Sequence, residues 1–129
     1  MIDANTEGLR ENGRQTSATA PVDVNVLKKL VGDDEAMIRE LLHEFRLSSS
    51  GIAAELRAAC AAGQATAAGA LAHKLKSPAR SVGALALGEL CEKMEKAGKA
   101  GDTATLTMLL AGFELELAGV ERFLEGRLS

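Results

Sequence analysis

Aromatic rings are almost missing from this chain: three Phe, no Trp and no Tyr stand among 129 residues. That shortage excludes a core built by ring packing, and with it the stacking platforms on which most single-strand nucleic-acid binders hold bases. Proline is scarce, with two residues. No stretch alternates β-branched with polar side chains, so nothing reads as a strand. The two cysteines, Cys60 and Cys91, show no metal-ligand spacing and are expected as small buried apolar groups in a reducing cytoplasm. An excess of positive charge is lacking too, since 15 basic residues against 18 acidic ones give a net charge of −3, which argues against general nucleic-acid binding. No apolar run approaches the length of a membrane span. Met1 to Ala20 is polar, without the apolar core of a signal peptide, and is expected as a disordered tail. A cytoplasmic protein with neither membrane nor nucleic acid as partner follows.

Ala and Leu fill the space that rings leave, and both favour helix. At 47% hydrophobic residues the chain can form one core, and its length suits one domain, placed at residues 22–128. Stop and start signals divide it into five helices. Asp23 caps a short first helix that Gly32 ends. Asp33, Asp34 and Glu35 open a long second helix whose buried stripe is Ile38, Leu41, Leu42, Phe45, Ile52 and Leu56, ending near Gly63. The third runs from about Ala65 to Val82, and the fourth from Ala84 to Ala97 with Leu87, Leu90, Cys91 and Met94 inward. After Gly98 and Gly101, Asp102 caps a fifth that reaches about Leu128 on the stripe Leu106, Leu110, Phe113, Leu117, Val120 and Leu124. Short connections between long helices predict an all-α fold, an antiparallel up-down four-helix bundle with a short additional N-terminal helix.

The third helix carries the chemistry. With Leu75 at the centre of its buried face, Ala68, Leu71, Ala79 and Val82 fall within ~40° of it, and His73 falls ~160° away. Gly69, Ala70 and Ser77 share the outer face, all small, with Lys76 and Arg80 on its flank. No Asp or Glu occurs from Leu56 to Gly88, whereas Arg57, Lys74, Lys76 and Arg80 do. An uncrowded imidazole among cations suits a nucleophile that takes a phosphoryl group, since the cations stabilise the added charge and steer an acidic partner. On this wheel Lys76 is predicted to be exposed. His43 on the second helix is also predicted to face outward, beside Leu47.

The run Ala72-His73-Lys74-Leu75-Lys76-Ser77, followed by Val82-Gly83-Ala84, Leu87, Leu90-Cys91, Met94-Glu95 and Gly101-Asp102, resembles the histidine-containing phosphotransfer (HPt) domain. Val31-Gly32-Asp33-Asp34 upstream is similar to that family as well. The resemblance implies a phosphoryl carrier of two-component phosphorelays, with no ATP site and no turnover of its own. It implies His73 as the phosphoacceptor on Nε2, Lys76 steadying the phosphoryl group, and Ser77 at a position kept small for the partner's approach. Arg80 is expected as a supporting cation, and Gly69, Ala70, His43 and Leu47 as a docking patch. The implied partners are response-regulator receiver domains and a hybrid sensor kinase. The receiver brings the Mg²⁺, so no metal or cofactor of the chain's own is expected, and a monomer is.

Two other readings compete. His73-Lys74-Leu75-Lys76-Ser77-Pro78 also resembles the phosphoacceptor box of sensor histidine kinases, whose dimerising hairpin carries the reactive histidine. That box usually has an acid directly after its histidine, where Lys74 stands here, and the chain has no room for an ATP-binding domain. A phosphate-inert helical adaptor is the other alternative. Pro78 removes the hydrogen bond to the Lys74 carbonyl, and a tolerated kink near the helix end is expected.

Overall fold

Three aspartates start three of the helices. Asp23 accepts from the Asn25 amide at 3.1 Å and opens α1 (Val24–Val31). Asp34 accepts from the Met37 amide at 3.1 Å and opens α2 (Glu35–Ala61). Asp102 accepts from the Thr105 amide at 3.0 Å and opens α5 (Thr103–Leu128). Each such cap is worth about 1 kcal/mol, because it satisfies an amide the helix itself cannot. Between them lie α3 (Ala65–Ser81) and α4 (Leu85–Lys99), which start without a side-chain cap. The computed structural model describes residues 20–129, and apart from Ala20 the expected N-terminal tail lies outside them. Among the described residues the fold is all-helical.

The four long helices close a ring of contacts: α2 packs on α3, α3 on α4, α4 on α5, and α5 returns to α2, while α1 rests on α2. Its centre is filled by Ile38, Leu42, Leu56, Leu75, Leu87, Met94, Leu106, Phe113, Leu117 and Leu124, all essentially fully buried. Each aliphatic side chain removed from water in this way contributes about 1.5–3 kcal/mol. Leu41, Leu71 and Leu110 are partly buried at its margin. Cys91 is buried as expected, but Cys60 is only half-buried. The serine run stays inside α2, with Ser49 buried and its hydroxyl donating to the Arg46 carbonyl at 3.3 Å. Pro78 does not end α3, which continues to Ser81.

Small residues set the spacing of α3. Apart from Leu75, its buried positions are Ala68, Gly69, Ala72 and Ala79. A Cβ on Gly98 would stand 2.5 Å from the Gly69 Cα and 2.7 Å from the Ala65 carbonyl oxygen, so α3 and α4 approach at a glycine-on-glycine crossing. At the other end of the bundle, Arg39 of α2 donates to the Leu128 carbonyl at 2.7 Å, and Arg127 pairs with Glu35 at 2.7 Å. These bonds tie the start of α2 to the end of α5.

α5 revises one sequence expectation. By length and composition it is the one helix among the described residues apolar enough to cross a membrane. In this structure its Leu106, Phe113, Leu117, Val120 and Leu124 face packs into the bundle.

Gly83 joins α1 to the α3–α4 turn. Its carbonyl accepts from the Asp23 amide at 2.9 Å, its φ is +89°, and a Cβ there would overlap the Asp23 carbonyl oxygen. Gly83→Ala is expected to cost more than about 2 kcal/mol, the backbone strain plus displacement of α1. Gly101→Ala, at φ +69° in open space, loses only the ~1–2 kcal/mol of a left-handed L residue. Urea denaturation of both variants checks the difference, and equal losses would remove the role assigned to the Asp23 contact.

Candidate functional site

His73 projects from α3 with its side chain 67% exposed. Its ring is not free-standing. Nδ1 lies 2.9 Å from Oε2 of Glu95 on α4, a carboxylate only 9% exposed. The same carboxylate accepts from Lys76 Nζ at 2.7 Å and from Lys99 Nζ at 3.2 Å. These donors, Lys76 foremost, hold the Glu95 carboxyl down to about 2 against the burial that pushes it up. An ionised carboxylate can only accept, so Nδ1 carries the proton in the neutral ring and Nε2 keeps its lone pair. No protein group among the described residues bonds Nε2.

The glycine crossing makes this contact possible. Gly69 lies one turn before His73, and Gly98 lies three residues after Glu95. Where the two backbones meet, the next turns of α3 and α4 fall within side-chain reach. Beside the ring the crossing leaves a hollow of about 340 Å³, lined by Thr66, Gly69, Ala70, His73, Glu95 and Lys99.

The structure changes the parts that other predicted residues play. Lys76 is 19% exposed rather than open to solvent, because its Nζ turns to Glu95 on α4. Arg80 turns to α4: its stem crosses Gly88, where a Cβ would stand 2.8 Å from Cγ, and its guanidinium pairs with Glu92 at 2.7 Å and Glu89 at 3.8 Å. It therefore clamps two helices, and the structure commits it to these carboxylates rather than to His73. Gly69 is buried in the crossing instead of lying on the outer face, though it still edges the hollow. Ala70 and Ser77 are exposed on the His73 side as expected. His43 and Leu47 are exposed on α2 but border hollows shared with Leu128 and Ala118 of α5, and neither lines the hollow at His73. The acid-free stretch does not leave α3 in purely positive surroundings, because Glu89, Glu92 and Glu95 of α4 supply the missing carboxylates across space.

Glu95 and Lys99 were not singled out from the sequence as site residues. A signal was present: Glu95 stands four residues after buried Cys91, with Gly88 and Gly98 on the same face of α4. A carboxylate at a core-facing position, flanked by glycines, demands donors from the helix opposite.

Because the folded-state value of Glu95 lies below the ordinary 4.5, its contribution to stability is present above about pH 4.5 and disappears as pH falls toward 2. In urea titrations from neutral pH to about pH 2, the wild type is expected to lose stability relative to Glu95→Gln across that window. A constant difference between the two proteins would overturn the assignment.

Comparisons with known proteins identify the family and the fold. The family model described as Hpt domain matches residues 40–123. The crystal structure of histidine-containing phosphotransfer protein B (HptB) from Pseudomonas aeruginosa PAO1 is similar, with a TM-score of 0.77 and 29% identity over 84% of this chain and 94% of that one. No curated protein matches the chain at a significant level. A match to the family model over more than half of the chain, around an exposed histidine on a helical bundle, places the protein in the Hpt domain family of two-component phosphorelays.

Proposed function

We propose that this chain carries phosphoryl groups on Nε2 of His73 between the aspartates of response-regulator receiver domains, with a hybrid sensor kinase upstream. The observation that carries the proposal is an exposed imidazole whose Nδ1 proton is held by a buried, ionised carboxylate. In its neutral form such a ring keeps its proton at Nδ1 and presents a lone pair at Nε2.

In transfer from an aspartyl phosphate, Nε2 forms a bond to phosphorus as the bond from phosphorus to the carboxylate oxygen breaks, and the carboxylate leaves with the electron pair. The ring then gains positive character, which Glu95 stabilises through Nδ1–H. Transfer onward reverses these steps. The transition state is loose, so alignment and charge stabilisation supply most of the catalysis. On this reading the receiver brings the acceptor aspartate and the Mg²⁺, and no cofactor belongs to the chain. Lys76 and Lys99 are the cations that share Glu95 with the ring. Ser77 keeps the approach low, and Ala70 with the rim of the hollow forms the docking surface at the ring. The ring of helix contacts is read as an antiparallel up-down bundle preceded by α1, acting in the cytoplasm as a carrier without turnover of its own.

Incubation with a phosphorylated receiver tests the proposal: acid-labile label should move to this chain, and His73→Gln should abolish it. Label that stays on the receiver would favour a phosphate-inert adaptor. Glu95→Gln should still accept label, but at least about tenfold more slowly, because its amide no longer enforces one ring tautomer. Lys76→Ala should lower both transfer and stability, since it strands the buried carboxylate.

A further inference from the structure

The two oxygens of Glu95 are served unequally. Oε1 accepts from Lys76 Nζ at 2.7 Å, whereas Oε2 lies 2.9 Å from His73 Nδ1 and 3.2 Å from Lys99 Nζ. Among the described residues Lys76 is therefore the one hydrogen-bond donor to Oε1, and Lys99 is the second partner of Oε2. The two lysines differ in burial as well, Lys76 being 19% exposed and Lys99 76%. Moving Lys76 would leave a buried carboxylate oxygen without its donor, a costly change. Moving Lys99 breaks the longest of the three contacts, at the solvent edge, where an ion pair is worth little.

We infer that Lys99 is the cation that binds the phosphoryl group on His73, turning from Oε2 to a phosphoryl oxygen as the group arrives. On the phosphotransfer reading, on which this rests, the part that the family resemblance gives to Lys76 passes to Lys99. Residue numbers rise on α3 as they fall on α4, Gly69 meeting Gly98 and His73 meeting Glu95. Helical side chains lean toward the N-terminus of their own helix, so His73 and Lys99 lean toward each other. Both line the hollow of about 340 Å³, which gives the lysine room to turn. Charge favours the exchange. A phosphoryl group brings close to two negative charges, and the ring gains positive character as Nε2 bonds to phosphorus. The Nδ1–H bond to Oε2 then strengthens, which compensates that oxygen for the lysine it gives up.

The neighbouring cations are placed less well. Arg80 is held over Gly88 by Glu92 and Glu89. Lys96 pairs with Glu92 at 3.5 Å, and neither it nor Lys74 lines the hollow. Lys74 follows the reactive histidine by one residue, so it leaves the helix ~100° around from the ring.

Single-turnover transfer from a phosphorylated receiver to the full chain, measured over a range of receiver concentrations, tests the assignment. Lys99→Ala should lower the rate at saturating receiver about tenfold, the loss of one charge-assisted hydrogen bond in the transition state, and Lys99→Arg should restore most of it. Diethyl pyrocarbonate, an uncharged electrophile, should modify the His73 ring of Lys99→Ala as fast as that of the wild type, because the ring keeps Glu95. Circular dichroism should be unchanged, and urea should show a smaller loss of stability than in Lys76→Ala. A saturating rate equal to that of the wild type overturns the inference. So does an effect confined to the half-saturating concentration, which would leave Lys99 a docking cation only. Equal slowing of transfer and of ring modification overturns it as well, because Lys99 would then act through the ring. A wild type that takes no label removes the phosphotransfer reading and this assignment with it, whereas a labelled wild type beside an unaffected Lys99→Ala removes this assignment alone.

Discussion

A carboxylate with nine-tenths of its side chain out of water stays ionised only while its donors remain in place, and Glu95 has three, all at 3.2 Å or less. Two of these, His73 and Lys76, come from α3, and Lys99 comes from the same helix as Glu95. Removing one leaves a charge partly uncompensated in the interior, which is far more costly than losing a surface ion pair. The donors can reach Glu95 only because α3 and α4 meet at Gly69 and Gly98 without Cβ atoms between them. Helix spacing, the burial of Lys76 and the tautomer of the reactive ring are therefore one constraint seen at three scales. The Arg80–Glu92 pair over Gly88 repeats the device two turns further along, a glycine on α4 again making room for a long α3 side chain.

Much of the fold was legible in the sequence, since its determinants are local. The aspartates that cap α1, α2 and α5 are read directly from their position before an apolar period, and they bond the amides that such caps bond. Glycines at 32, 63, 83 and 101 punctuate the helices at positive φ, where an L side chain would strain. The outward phase of His73 needed only one helix and its period.

What was not legible depends on two helices at once. The wheel around Leu75 treated α3 as buried on one side, but α3 packs on both α2 and α4, so its buried arc is wider and takes in Gly69. Charge was counted along the chain, where an acid-free stretch suggested free cations. Across space α4 delivers Glu92 to Arg80 and Glu95 to Lys76. Lys76 and Arg80 thus proved to be bound cations, and the carboxylate that organises the site was visible only as a polar residue at a core-facing position. His43 and Leu47 went astray in the complementary way. Their exposure was read correctly, but which neighbour they faced could not be, and it is α5 rather than α3.

The placement of charge decides what the face at His73 can do. At His73 the Glu95 carboxylate is drawn inward and paired, while Lys99 remains about three-quarters exposed at the rim of the hollow. This face therefore meets water with positive charge and attracts an acidic partner despite the acidic chain as a whole.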